Sequence, residues 1–367
     1  MQLKPLLTEH LRVTLSDYIT AIAWSPTDDR FAAATGTGEI QYIQDFVPEL
    51  LQASTGQSID AIAFSADGQW LAAGGQAGCI TLWKPPLHHP THSLDCGSTW
   101  IERLSWHPIH NYLAFLQGKT LRIWDADQAT FKQVIELTER PQDVQWSPTG
   151  DVLAIALKTS IQIWHPFQSA APLYQWELTA TPITLNWSTD GTYLACAIYD
   201  QSIGILNWSE LCHANLESPA PEALPVLMRG FPGKVRALTW ADIPDSDTSP
   251  MLAAATREVV AMWLLIPDEG WQSWVLDLHS ETVLDVAFQP KTGLLASLSN
   301  DGWLILWQLA IEAVQILEGA AEGFSCLAWH PSGQWLAAGG QQGELLIWSL
   351  PPAVPSSGSD SHDHAAE

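Results

Sequence analysis

The chain has 367 residues, 47% hydrophobic and only 15% charged, with 15 Lys and Arg against 40 Asp and Glu. A formal charge of −25 repels phosphate backbones and anionic headgroups, and no Lys/Arg cluster interleaves with aromatics, so neither nucleic acid nor a membrane is an expected partner. Five cysteines without a Cys-x-x-Cys pair argue against a disulfide framework or a structural zinc site, and no run approaches the ~18 apolar residues of a membrane span.

The N-terminus, MQLKPLLTEHLRV, lacks the basic-then-apolar order of a signal peptide, which predicts a soluble cytoplasmic protein. Residues 1–10 read as a lead-in. An alternating run follows, Leu11-Arg12-Val13-Thr14-Leu15, with no partner strand beside it in sequence. The chain then begins to repeat. Gly68–Trp83, GQWLAAGGQAGCITLW, returns 265 residues later as Gly333–Trp348, GQWLAAGGQQGELLIW, with eleven of sixteen positions identical. Each unit opens with an alternating run ending in an aromatic. A Ser-Pro-like turn, a small apolar run, a Gly-rich turn and a second alternating run follow. Period-two alternation broken by Gly, Pro, Ser and Asp predicts short antiparallel strands.

The opening aromatics are Trp24, Phe64, Trp106, Trp146, Trp187, Trp240, Phe288 and Trp329. The closing positions are Tyr42, Trp83, Trp124, Trp164, Leu206, Trp263, Trp307 and Trp348. This makes eight units, and Tyr42 and Leu206 are the weak closers. Two Pro-rich acidic insertions interrupt the rhythm, one at about 207–233 and one at 241–250. The first lies after the third strand of unit five. The second separates the first two strands of unit six. After Trp348 the composition turns to PPAVPSSGSDSHDHAAE, a disordered acidic tail over 351–367.

Successive opening aromatics stand 40, 42, 40, 41, 53, 48 and 41 residues apart. In period, strand pattern, Ser-Pro turn and closing Trp, residues 11–350 resemble the WD-repeat family of β-propellers. The low Lys content, Trp richness and stand-alone form point to a bacterial member. The resemblance implies an all-β, eight-bladed propeller forming a single domain over 11–350, with seven blades and a degenerate extra unit as the alternative. It also implies that the orphan run Leu11–Leu15 completes the last blade, whose strand carrying Trp348 has no outer strand after it. The chain departs from the family pattern in two ways. Only Trp124-Asp125 keeps the Trp-Asp pair, and Leu278-His279 is the nearest trace of the Gly-His pair. Apolar packing of Trp is therefore expected to replace the family's polar network.

No nucleophile elbow, phosphate loop, zincin helix or paired Cys is present, and the Gly-rich runs fall in strand-to-strand turns. His107 and His330 stand in the place of the turn serine and read as structural. These observations predict a non-enzyme with no cofactor and no metal. Asp242, Asp245 and Asp247 alternate but lack a calcium loop's Gly and terminal Glu. Two alternatives are kept: a propeller enzyme with an axial metal site, and a metal-handling accessory factor. The second would use the loop bearing His88, His89 and His92 together with His362 and His364 of the tail.

What remains is recognition of a protein or peptide by a scaffold or adaptor. In WD-repeat propellers one rim is built from the turns leading into the opening strands. Six and four residues before each opening aromatic, polar and apolar types mix without a period. Tyr, Trp and Arg there are the types enriched at interface hot spots. The expected partner-binding residues are Tyr18, Trp100, Glu102, Arg140, Lys234 and Arg236.

Overall fold

In the computed structural model the described residues are 5–85, 89–213, 225–243 and 250–351. Every opening aromatic lies on the first strand of a sheet and every closing residue on the third, so each unit becomes one blade. Blade 1 is built from Ile19–Trp24, Phe31–Thr35, Ile40–Gln44 and Val47–Gln52. Eight such four-stranded antiparallel sheets form, with strand order following chain order in the first seven. The first strands of neighbouring blades pack side by side, and that of blade 1 meets that of blade 8, which closes the ring. Second strands such as Phe31–Thr35, Leu71–Gly75 and Leu295–Ser299 are buried throughout. A strand covered on both faces needs small or apolar side chains at every position, which is why these runs do not alternate.

Blade 8 has Phe324–Trp329, Trp335–Gly340 and Glu344–Ser349, and its fourth strand is Thr8–Thr14. The N-terminal strand runs antiparallel to the third, pairing Leu11 with Ile347 and Val13 with Leu345. It starts earlier than the orphan run at Leu11 suggested. Just ahead of it, the Leu7 amide donates to Gln315 Oε1 at 2.8 Å, and Gln315 Nε2 returns a bond to the Leu7 carbonyl at 2.8 Å. One side chain of blade 7 thus satisfies the backbone of the incoming chain. Closure leaves no open strand edge in blade 8 beside the last strand of the repeat.

One expectation is corrected. The polar network is complete in blade 7. His279 and Asp301 meet at 3.0 Å through Nδ1, His279 Nε2 and Ser297 Oγ at 2.8 Å, and Trp307 Nε1 donates to Ser297 Oγ at 2.9 Å. Burial holds His279 below its ordinary pKa, against the opposing pull of Asp301, so the ring is neutral and can donate at one nitrogen and accept at the other.

Elsewhere the indoles are used differently. Trp24 Nε1 donates to the Ala328 carbonyl at 3.1 Å, Trp106 to Ala63 at 3.1 Å, Trp240 to Asn186 at 3.0 Å and Trp329 to Ala287 at 3.2 Å. Each acceptor is the residue just before the preceding blade's own opening aromatic. The first strand of a blade is a sheet edge, and its outward carbonyls need donors. Tryptophan at this position stitches blade to blade, a role Phe64 and Phe288 cannot fill. Trp146 and Trp187 stand at the same position, but their buried indole nitrogens have no partner.

One buried carboxylate, Asp143, and one half-buried carboxylate, Asp285, make the same kind of crossing. Asp143 Oδ2 accepts from the Leu185 amide at 2.8 Å, and Asp285 Oδ2 accepts from the Leu327 amide at 3.1 Å. Both lie three residues before their opening aromatic. Asp143 also faces Arg103 at 3.4 Å, whereas no ion pair forms at Asp285 among the described residues. Burial pushes Asp285 up to about 6, against the two backbone amides it accepts from.

The insertions contain a short helix, Trp208–His213, which buries Leu211. A fourth strand for blade 5, Val226–Met228, follows. Residues 214–224 and 244–249, with Asp245 and Asp247, lie outside the described residues, as do His88 and the tail from 352 that carries His362 and His364.

Candidate partner-binding face

The turns leading into the first strands open on one face of the ring, termed upper here. The turns between second and third strands return to that same face, because those strands run there and back. The other two sets of turns form the lower face.

Trp100 and Glu102 lie in the turn before blade 3 and are exposed; Arg140, also exposed, lies in the turn before blade 4. The Trp100 indole donates to Asp60 Oδ2, which also accepts from Ser58 Oγ at 2.8 Å. A side chain of blade 2 therefore fixes the ring while leaving one face open. A crevice beside it brings Trp100, Glu102 and Arg140 together with Arg103 and Gln142.

A larger cleft of about 520 Å³ opens next to it, towards the axis. Its walls include Asp60, Trp100, Glu102, Thr181, Tyr199 and Lys234. Blades 2 to 6 all contribute to it. Lys234 Nζ stands 5.7 Å from the centre of the Tyr199 ring, and Tyr199 is 67% exposed. A cation held over an aromatic beside an exposed indole suits an amphipathic ligand.

Four of the six expected residues thus fall in two adjoining clefts. Arg236 is exposed on the first strand of blade 6, two positions from Lys234, but lines neither cleft. Tyr18 stands apart on blade 1, where its ring lies across Gly36, so close that a Cβ there would come within 2.1 Å of it. Tyr199 and Arg103 stand outside the positions six and four residues before the aromatics, whereas Thr181 is six residues before Trp187 but is not among the six expected residues. Tyr199 belongs to a turn between second and third strands, which a ruler set only on the leading turns does not reach.

The lower face has a cleft of about 410 Å³ lined by Asp28, Asp29, Arg30, Tyr42 and Asp45. Its one base is already engaged. Arg30 Nε meets Asp28 at 2.7 Å and Arg30 Nη2 donates to the Gly68 carbonyl at 2.8 Å. His107 and His330 are structural turn residues: His107 Nδ1 accepts from the Ile109 amide at 3.0 Å, and His330 Nδ1 from the Ser332 amide at 3.0 Å. His92 stacks on Trp70 with ring centres 5.4 Å apart, and His89 is exposed. Trp271 packs against Tyr193 and Trp240, and Trp274 Nε1 donates to the Ala310 carbonyl at 2.8 Å. Among the described residues no group of three or more His, Cys, Asp and Glu could hold a metal ion, and no helix is long and apolar enough to cross a membrane.

The family described as WD domain, G-beta repeat matches residues 48–84, 270–308 and 311–349. Each match begins at about the start of the fourth strand of one blade and ends at about the end of the third strand of the next, so the sequence repeat is one strand out of phase with the blade. That offset is what leaves the last blade to be finished by the N-terminus. The chain is 23% identical over 355 residues to Telomerase protein component 1 of Mus musculus, covering 90% of this chain and 13% of that protein. It is 22% identical over 355 residues to the Periodic tryptophan protein 2 homolog of Caenorhabditis elegans, covering 81% of this chain and 38% of that one. Over 95 residues it is 30% identical to Protein transport protein sec13 of Emericella nidulans, covering 23% of this chain and 31% of that one. The chain spans well under half the length of each of these relatives. Periodicity and ring closure identify an eight-bladed β-propeller, three segments of which match the WD domain, G-beta repeat.

Proposed function

We propose that this protein is a non-catalytic scaffold or adaptor that binds a protein or peptide through its upper face, centred on Trp100, Glu102, Arg140 and Lys234. The observation that carries the reading is the pair of adjoining clefts shared by blades 2 to 6. An anchored but exposed indole, a cation-capped tyrosine and flexible bases around them are the composition of an interface hot spot. Arg236 and Tyr18 belong to the periphery of this surface. The five free cysteines fit a reducing compartment, so a cytoplasmic location is part of the proposal.

The test is affinity purification with mass spectrometry, comparing the parent protein with Trp100→Ala/Arg140→Glu. A stoichiometric partner should be recovered with the parent and lost with the double variant. Unchanged recovery from the variant removes the upper face as the binding surface.

A further inference from the structure

We propose that the upper face recognises its partner by negative charge: the basic half-ring of blades 3 to 6 is a docking surface for a short acidic protein segment. This rests on the upper-face reading above and adds the partner's chemistry to it.

The first observation is where the bases are. The chain holds only 15 Lys and Arg. Arg140, Lys158, Arg229, Lys234, Arg236 and Arg257 all lie on the upper side of blades 4 to 6, and all are exposed. Arg103 and Lys119 join them from blade 3. The upper turns of blades 7, 8, 1 and 2 carry no Lys or Arg, and they present Asp17, Glu281 and Glu322. Blades 3 to 6 also carry Glu102, Glu139, Asp200 and Glu258 in these turns, so one half of the rim has an excess of bases and the other has acids with no base among them.

The second observation is what the bases do. On the lower face Arg30 meets Asp28 at 2.7 Å, Lys132 meets Asp125 at 3.2 Å and Lys84 meets Asp127 at 4.0 Å, and Lys291 alone of the bases there has no ion pair among the described residues. In the upper group only Arg103 has an ion pair, with buried Asp143. None of the six named above has one among the described residues, in a chain with 40 Asp and Glu to choose from. Neighbouring cations without counter-charges repel one another, and a bound anion relieves that repulsion. Some of these side chains are also held in place: Lys234 over Tyr199 at 5.7 Å, and Arg257 across Gly233, where a Cβ would come within 2.6 Å of it.

The third observation selects the class of anion. A screening length of about 8 Å at physiological salt lets a short ligand feel only the local bases. A long polyanion such as nucleic acid would leave the basic half and run over acidic turns on a protein of charge −25. The aromatic walls Trp100 and Tyr199 add apolar contact that an extended peptide can use.

The experiment uses fluorescein-labelled deca-glutamate and the full chain, with binding read by anisotropy. Saturable binding is expected at low salt, weakening as salt rises from about 50 to about 200 mM. Arg140→Glu/Lys234→Glu should weaken it by about tenfold or more. The milder Arg140→Gln/Lys234→Gln should give a smaller loss, which guards against a folding artefact. Lys84→Glu/Lys291→Glu makes the same charge change on the lower face and should leave affinity within about twofold. No saturable binding at low salt overturns the inference, as does equal loss in the upper and lower variants. Tighter binding of an oligothymidine of matched charge overturns it in favour of nucleic acid. If Trp100→Ala abolishes recovery of the native partner while the charge reversals have no effect on it, the upper face stands and its preference for acid does not.

Discussion

Trp24→Phe and Trp146→Phe remove the same atoms from the same position of two blades, yet they should differ in cost. Trp24 is 8% exposed and Trp146 is 5% exposed, so burial is closely matched. In each, loss of the fused ring leaves a void of a few tens of Å³, on the order of 1 kcal/mol at ~24 cal/mol per Å³. Trp24 also loses its 3.1 Å bond to the Ala328 carbonyl, which joins blade 1 to blade 8 across the closure of the ring. Stranding that carbonyl costs a further ~1–3 kcal/mol. At Trp146 the indole nitrogen is buried without a partner, so phenylalanine removes an unsatisfied donor and offsets part of the void. The two variants should therefore differ by about 2 kcal/mol, which in a chain of this length moves a thermal midpoint by roughly 3 °C. Far-UV circular dichroism is the assay, because 20 Trp blur any fluorescence signal. Trp240→Phe should behave like Trp24→Phe, and Trp187→Phe like Trp146→Phe. Equal shifts in the two pairs would refute the idea that the opening tryptophans act as stitches.

Asp285 has a folded-state pKa of about 6, above the ordinary value of 3.8, so its contribution to stability is fully present below pH 3.8 and is lost as pH rises towards 6. The stability of the parent minus that of Asp285→Asn should fall between those values by on the order of 2 kcal/mol and stay level above, measured by urea unfolding at several pH values; a flat difference contradicts it. Deleting residues 1–15 bares the edge at Glu344–Ser349 and uncovers the cluster around Leu345 and Ile347, so the truncated chain should aggregate, and a peptide of residues 5–16 should restore the parent's elution volume in size-exclusion chromatography. His279→Ala should cost about 2–3 kcal/mol, because it leaves Ser297 and the nearly buried carboxylate of Asp301 short of a partner, and the thermal midpoint should fall accordingly.

The blade count and the closure were legible because the anchors recur at both ends of each unit, and a lone alternating run at the start matched a missing strand at the end. The network of blade 7 was not, because its members are named by pairing rather than by spacing. Leu278 replaces the expected glycine, and Asp301 reaches His279 from a turn 22 residues away. The helix Trp208–His213 has six residues, too few for a helical period to show, and only folding reveals that it caps blade 5 with Leu211. Of the binding face, the leading turns could be found by counting back from the aromatics. Tyr199 could not, since its turn reaches the upper face only through the back-and-forth course of the strands. Lone charges such as Asp143 and Asp285 looked like ordinary strand residues until two blades closed over them.

Both faces carry polar ties between blades, but they use their bases differently, and this difference is why the upper one is the place to look for a partner. On the lower face polar groups tie neighbours together. Asn111 Nδ2 donates to Asp67 and to Asp127 at 2.9 Å each, Gln289 Nε2 to the Gly333 carbonyl at 2.6 Å, and His330 Nε2 meets the Asp28 carbonyl at 3.2 Å. All but the Asn111–Asp127 contact, which lies within blade 3, run from blade to blade. A base held by a carboxylate of its own chain must give up that contact before it meets another, and the exchange gains little. The bases of blades 4 to 6 make no such contact among the described residues, so an incoming carboxylate displaces no carboxylate partner there. A frame tied across its blades, with a group of bases on one face left unpaired, holds its shape while something binds. If charge reversal at Arg140 and Lys234 lowered the stability of the free protein as much as reversal at Arg30, those upper bases would be part of the frame, and the difference would not exist.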